Sequence, residues 1–516
     1  MAWWCGLLVA VVLAWATPVE GQGLVVQDGR FTQNGQEYRG LGVNYYSAFL
    51  NHLRDRSDTS FDAGFAGLAE KDIPFARFNA GGFWPDDWGL YQTDKAAYFA
   101  RMDAVVNSAT AHGVQLVPSL FWNHYSISDL FKDEAPDPDN PGQTLPGESA
   151  NAWADPDSRT RRFARQYASE VVSRYANNDT ILMWEFGNEF NLVQDLPTIN
   201  PTSNIAPGRG TPDERDDDDV LSSDDIRGAL TEFAQLVRGI DPHRAINSGN
   251  SAERAQAYNR RENAQWAIDT EAEFREIFAG DHPDPVDALS VHAYWHSLQG
   301  TTRATQTDPT RRFAPDQIAG YAAVLDVMLS VSSDTGKPLF LGEFGVADDF
   351  THDVPDDGNP NNTTEERLQY ILDLFTEKEV PVAAIWAYEF NNEEAWNITT
   401  TNDRAYQLDL ISAVNASWQA SVAEPTAGDL NGDGFVSQAD LNLVLLNWGS
   451  DAIPDEWTAV EQFDGVLVGQ NELNAVLLNW GSGQPPDTNI VVIPEPHTFG
   501  VLVIMLASVF SRMRGL

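Results

Sequence analysis

Ile181-Leu182-Met183-Trp184-Glu185-Phe186-Gly187-Asn188-Glu189 is the stretch on which the reading turns. An apolar run, Ile181 to Trp184, leads directly into Asn188-Glu189. A short apolar run bounded by Gly fits a strand buried on both faces, as in a parallel sheet. Gly336-Lys337-Pro338-Leu339-Phe340-Leu341-Gly342-Glu343-Phe344-Gly345 has the same grammar, an apolar strand ending on Glu among small residues. Working outward, strand-like segments are Tyr38–Asn44, Ile73–Asn79, Val114–Phe121, Ile181–Phe186, Ala245–Ser248, Ala288–His292, Pro338–Glu343 and Val382–Ala387. Helical stretches fall between or after them, at Phe61–Lys71, Lys95–His112, Ser158–Ala176, Asp224–Ile240, Ala252–Phe278, Pro315–Ser332, Thr364–Lys378 and Arg404–Ala420. Alternation of this kind predicts parallel βαβ units. At this length it predicts an α/β fold closed as a (β/α)8 TIM barrel, with function at the C-terminal strand ends. Glu189 and Glu343 then close the fourth and seventh strands.

The chain has 516 residues, with 32 Lys and Arg against 76 Asp and Glu, a net charge of −44. That disfavours nucleic acid and anionic membranes as partners, since both require a basic footprint. A 42% hydrophobic content allows a large core. The single Cys, Cys5, lies in the apolar run Gly6–Ala16 and its flank, which reads as a secretory signal over residues 1–22. At the other end, residues 487–516 hold Pro494-Glu495-Pro496, an apolar stretch and Arg512 and Arg514. This tail resembles the PEP-CTERM sorting signal of Gram-negative bacteria, which implies an exported, envelope-associated or secreted protein.

Residues 425–486 differ in composition from residues 23–424. They contain no Lys or Arg and repeat one motif, LNLVLLNWGS at Leu441–Ser450 and LNAVLLNWGS at Leu473–Ser482. Asp429, Asn431, Asp433, Ser437 and Asp440 take positions 1, 3, 5, 9 and 12 of an EF-hand loop, and Phe435 would add its carbonyl at position 7. This spacing predicts bound Ca2+. In the second copy Glu461, Phe463 and Gly465 replace the first three ligands, so that loop is degenerate. The segment resembles a dockerin repeat, a small all-α module, which implies a cohesin-like or envelope partner.

Paired carboxylates at strand ends suit glycoside hydrolysis, where one protonates the leaving oxygen and the other attacks or activates water. Asn-Glu after strand four and Glu in a Gly-Glu-Phe-Gly context on strand seven resemble the retaining glycoside hydrolases of clan A, family 5 above all, over residues 24–420. The resemblance implies Glu189 as acid/base and Glu343 as nucleophile. It implies substrate-side roles for Arg77, which keeps the nucleophile ionised, and for Asn188, His292, Tyr294 and Trp386. His124, at the end of strand three, fits a substrate-binding position more loosely. Arg77 is expected to lower the pKa of Glu343, and burial to raise that of Glu189. Glu185 is expected to support the barrel through a buried ion pair. Tyr45, Tyr46, Phe83, Trp84, Trp88, Trp122, Trp153, Trp295 and Trp396 divide between sugar platforms and core. His243 and His282 read as structural. Two long connections, about Lys132–Asp157 and Leu192–Ser223, read as cleft walls, and Asp216–Asp219 as a solvated run.

The whole implies a secreted retaining hydrolase of β-1,4-linked polysaccharide, with an endo-β-1,4-mannanase preferred because the opening segment Leu24–Leu50, with Asp28-Gly29-Arg30-Phe31 and Asn34-Gly35 before Tyr38, resembles the mannanase branch more than the cellulase branch. Catalysis needs no cofactor on this reading. An endo-β-1,4-glucanase (cellulase) or another family 5 β-glycosidase is the alternative. A non-catalytic carbohydrate-binding or surface adhesion protein is the alternative of another class.

Overall fold

The computed structural model describes residues 23–138, 140–294, 313, 321–347, 363–422, 427–431, 435–450, 457 and 467–482. The expected signal segment 1–22, the expected sorting tail 487–516, Asp433, Trp295 and the second-copy residues Glu461, Phe463 and Gly465 lie outside the described residues. The chain divides into two compact units, Met1–Gln419 and Ala420–Leu516.

In the first unit eight strands form one parallel sheet: β1 (Gly40–Asn44), β2 (Phe75–Asn79), β3 (Gln115–Phe121), β4 (Trp184–Gly187), β5 (Ile246–Asn247), β6 (Leu289–His292), β7 (Leu339–Phe344) and β8 (Val382–Ile385). Sequential strands other than β5 and β6 pair in parallel, and β8 returns to pair with β1. Between β5 and β6 the Ile246 carbonyl accepts from the N–H groups of Asp287 (3.0 Å) and Ala288 (3.3 Å), which brings the ring to near closure. The strands carry almost wholly buried side chains, which is why they read as continuous apolar runs rather than alternating ones.

The N-terminal end of the barrel is plugged. Val25–Gln27, Arg30–Gln33 and Gln36–Glu37 form an antiparallel meander. Its two turns, Asp28-Gly29 and Asn34-Gly35, put both central residues at positive φ, the hairpin geometry that Asp-Gly and Asn-Gly favour. Leu24 bridges into the barrel by backbone bonds to Leu182 and Ala245, both 2.7 Å. Leu24 and Phe31 pack with Phe75, Val117, Met183, Phe340 and Val382. The opposite, C-terminal end stays available for a site.

Two helical expectations change. The stretch 252–278 is not one helix but two, Ala257–Asn263 and Glu271–Gly280. Ala264 turns left-handed after the first, and Thr270 and Glu273 form a capping box that starts the second. A helix absent from the sequence reading, Ser47–Arg54, follows β1 directly.

In the second unit, helices Gln438–Leu446 and Gln470–Leu478 are related by the 32-residue repeat. Val436 N–H donates to Ser482 and Val468 N–H to Ser450, each at 2.9 Å, so the two halves pair reciprocally. Leu430, Val436, Leu441, Val444, Trp457, Val468 and Val476 form its core. Leu446 and Leu478 are left 84% and 85% exposed, one from each half.

Candidate active site

Arg77, at the C-terminal part of β2, is wholly buried and organises the barrel mouth. Its Nε donates to Glu185 (2.8 and 3.0 Å). Its Nη1 donates to Asn44 Oδ1 and to Glu343 Oε1, both 2.9 Å, and its Nη2 to Asn188 Oδ1 at 2.8 Å. One planar guanidinium thus ties the ends of β1, β4 and β7, using the rigid donor fork that Lys lacks. Its ring-facing side lies 4.4 Å from the centroid of Trp122. The expected buried pair of Glu185 is present. Asn44 was not singled out from sequence, and its position at the end of β1 was the available signal.

Glu189 and Glu343 converge with His292. One ligand atom from each of the three lies within 4.8 Å of the others. His292 Nδ1 is 2.8 Å from Glu189 Oε1 and 3.4 Å from Glu343 Oε2. Tyr294 donates its hydroxyl to Glu343 Oε2 at 2.8 Å. Small residues make the convergence fit. A Cβ at Gly342 would lie 2.9 Å from His292 Nε2, and one at Gly249 would lie 1.8 Å from the Gly187 carbonyl. Gly249 in turn accepts the Glu189 N–H at 2.8 Å. Glu189 itself sits at φ 55°, a left-handed conformation that non-glycine residues seldom adopt and that clusters at functional sites.

The electrostatics correct one expectation. The more buried carboxylate is Glu343, with a side chain 7% exposed, while that of Glu189 is 29% exposed. Burial pushes the Glu343 carboxyl above its ordinary value. His292 and Arg77 pull it down without overcoming the burial, and the Glu189 charge adds to the rise. Burial also lowers His292 to about 4, so the ring is neutral at working pH. Tyr294 is raised well above the ordinary phenol value, chiefly by burial and then by Glu343, so it remains a donor.

Trp386 leaves β8 at the mouth, half-buried, in an aromatic enclosure with Trp122 and Tyr46 (both 6.2 Å between centroids) and Phe390 (5.7 Å). Of the other aromatics, Phe83, Trp84 and Trp396 are half-buried near this rim, whereas Tyr45, Trp88 and Trp153 are core. His124 follows β3, its Nε2 buried and without a hydrogen-bond partner, and burial lowers it to about 3. It stands against Tyr125 and Phe190 and is not bonded to the carboxylate pair. His282 is structural, held by Phe278 O and Ser290 N, and His243 is exposed.

The long connections meet each other. Asp219 is 4% exposed and accepts the Ala150 N–H at 3.1 Å. Arg215 makes a buried pair with Asp129 at 2.5 and 2.7 Å. The Asp216–Asp219 run is therefore not wholly solvated; its last member is a structural pin between two walls.

Residues 63–392 match the model of the family described as Cellulase (glycosyl hydrolase family 5). The chain belongs to glycoside hydrolase family 5. It is a glycosidase, and the family 5 region contains all eight predicted catalytic and substrate-side residues. Similar proteins include a rice (Oryza sativa subsp. japonica) protein described as mannan endo-1,4-beta-mannosidase 9, 24% identical over 350 residues, covering 64% of this chain and 72% of that protein. The crystal structure of the endo-1,4-beta-mannanase from Rhizomucor miehei superposes with a TM-score of 0.50 at 14% identity, over 78% of this chain and 100% of the other. A family 5 mannosidase from the same fungus, in complex with mannosyl-fructose, gives a TM-score of 0.50 at 13% identity, with the same coverage. At such identities the superpositions speak to the fold.

Proposed function

We propose that this family 5 glycosidase is an exported endo-β-1,4-mannanase acting with retention of configuration. The observation that carries the mechanism is the spacing of Glu189 and Glu343, with carboxylate oxygens within 4.8 Å. Retaining enzymes hold the pair about 5–5.5 Å apart, whereas inverting ones leave about 6.5–9.5 Å for a water. Glu343 attacks the anomeric carbon while Glu189 gives its proton to the leaving oxygen. Water, deprotonated by Glu189, then releases the sugar and restores both groups. Arg77 and Tyr294 aim Glu343 and favour its ionised form against its burial. Asn188, its carbonyl oxygen spent on Arg77, is left with its amide N–H2 to donate to a sugar hydroxyl. Trp386 floors the subsite, with Trp122 and Tyr46 beside it; His124 contributes a neutral ring beside Tyr125 and Phe190.

Mannan is preferred because the curated relative is described as a mannan endo-1,4-beta-mannosidase and because of the Asp-Gly and Asn-Gly hairpins before β1. The family description, Cellulase, favours β-1,4-glucan as the second reading. Reducing-sugar release from mannan, glucomannan, carboxymethylcellulose and xylan, with Glu343→Ala as control, separates the two. Release from mannan that disappears in the variant supports the proposal; release from carboxymethylcellulose alone overturns the substrate. NMR of the first anomer formed tests retention.

Residues 425–486 are proposed as a dockerin-like Ca2+ module. The donor set, Asp429, Asn431, Asp433, Phe435 carbonyl, Ser437 and Asp440, is all oxygen, as Ca2+ requires. Asp440 closes the loop by accepting from Leu430 (2.8 Å), Asn431 (3.2 Å) and Ser437 (2.8 Å). Its exposed leucines, Leu446 and Leu478 above all, support attachment to a cohesin-like or envelope partner, and the terminal segments support export with PEP-CTERM sorting. A chelator is expected to lower the stability of this module and to leave sugar release intact.

A further inference from the structure

The connection that follows β8 is a built structure. Glu389 N–H donates to Ile398 and Ile398 N–H to Ala387, both at 2.9 Å. Glu393 N–H donates to Phe390 at 3.2 Å and Trp396 N–H to Glu393 at 2.9 Å. The Asn397 side chain accepts from Phe390 N–H at 2.7 Å and donates to Asn391 at 2.9 Å. This fold carries a third carboxylate to the mouth. Trp386 donates its indole N–H to Glu393 Oε2 at 2.8 Å. The charge of Glu393 acts on Tyr294, which holds Glu343, and on Tyr46, which stands against Trp386.

Glu393 is exposed, and the indole is the partner of its side chain among the described residues. An ionised carboxylate has about four acceptor sites. One is used here. The remainder lie at the edge of an indole whose face is suited to stacking with a pyranose. A sugar stacked on that face presents hydroxyls at its rim, where an acceptor-only group is the complement.

We propose that Glu393 is a sugar-binding residue of the subsite floored by Trp386, one oxygen holding the indole in place and the other accepting from hydroxyls of the stacked sugar. This rests on the family 5 reading and deepens it. It assigns the subsite a preference for neutral sugars, because an acidic sugar would bring a further charge toward three carboxylates.

The test uses the full chain with mannotetraose and cellotetraose. Glu393→Gln keeps an acceptor for the indole and loses the charge, whereas Glu393→Ala loses both. For Glu393→Gln, KM is expected to rise about tenfold, the loss of a charge-assisted bond, with kcat within about twofold and its pH profile unmoved. Glu393→Ala is expected to be weaker still. Calorimetry in the Glu343→Gln background, with and without Glu393→Gln, should show the same tenfold loss of affinity. Wild-type values for Glu393→Gln beside an impaired Glu393→Ala would reduce the residue to a support for the indole and overturn the proposal. A fall in kcat at unchanged KM would also overturn it. Which tetrasaccharide the wild type cleaves decides the substrate reading separately, and the variant ratio is read on whichever sugar binds.

Discussion

Replacing Arg77 by Met removes the cation bonded to both Glu185 and Glu343, and the consequence is calculable. With charge centres about 4 Å apart and an effective dielectric near 20, the attraction between Arg77 and Glu343 is about 4 kcal/mol. At 1.4 kcal/mol per tenfold, that favours the ionised nucleophile by up to ~10³-fold. Glu343 is already biased toward the protonated form by burial, so loss of Arg77 moves it further in that direction. The acid limb of kcat/KM should therefore move to higher pH. The deficit is largest, about 10²–10³-fold, at acid pH and shrinks as pH rises. Arg77→Lys keeps the charge but not the fork, so its deficit should be nearly independent of pH. The assay is kcat/KM on an aryl β-glycoside from pH 4 to 9 for all three proteins, with circular dichroism to confirm folding. A pH-independent deficit for Arg77→Met would refute the electrostatic account and leave Arg77 a purely geometric role. Arg77→Met should also lower stability by about 3–5 kcal/mol, since two buried carboxylates lose their partner.

Other expectations are as specific. Glu189→Ala should lose about 10²–10⁴ in rate on unactivated glycosides and regain part of it with azide on an activated aryl glycoside, read by product analysis. Glu185→Gln should leave Glu343 as the sole counterion of Arg77 and slow formation of the glycosyl-enzyme about tenfold or more, seen in pre-steady-state release of the aryl group. Arg215→Ala should cost about 3–5 kcal/mol by stranding Asp129, and pairing it with Asp129→Leu should recover most of that in thermal melts. Acid should destabilise the barrel from pH 6.5 downward. His124, His282 and His292 are lowered to about 3, 4 and 4, so the unfolded chain takes up protons first as pH falls. Each contributes about 1.4 kcal/mol per pH unit until its folded-state value is reached. Asp281, raised to about 6 by burial, works in the opposite sense, as do Glu343, Asp129, Asp269, Asp287 and Glu389, which burial also raises, so these carboxyls offset part of the loss. Flat thermal midpoints between pH 7 and 5 would contradict this.

The barrel was legible because its strands are buried on both faces and so appear as unbroken apolar runs, and because the strand ends bear Arg77, Asn188-Glu189, His292 and Glu343. What was not legible depends on contacts between distant residues. Asp219 looks like its three acidic neighbours until the Ala150 N–H is placed against it. The break in 252–278 is set by the left-handed Ala264, which carries no glycine to announce it. From sequence Arg77 is expected to set Glu343 low, but the Glu343 side chain is buried more deeply than that of Glu189 and burial outweighs the guanidinium, a balance that depends on packing around the strand ends. Glu393 acquires a role only when the β8 connection folds back on Trp386.

The arrangement around Arg77 explains why a second buried glutamate, Glu185, accompanies Glu343 at the same guanidinium. In the proposed double displacement Glu343 alternates between carboxylate and neutral ester. A guanidinium buried with Glu343 as its only counterion would be left unpaired in the covalent intermediate, a costly state in a dry site. Glu185, 0% exposed and bonded through both oxygens to Nε, keeps Arg77 neutralised throughout. Only Nη1 is then shared with the nucleophile, so attack gives up one N–H bond of the five that hold the guanidinium. The same five bonds join β1, β2, β4 and β7, so the geometry that spaces the catalytic pair is also part of what closes the barrel. Catalytic and structural roles at this mouth are therefore separable by charge and by pH, and not by stability alone.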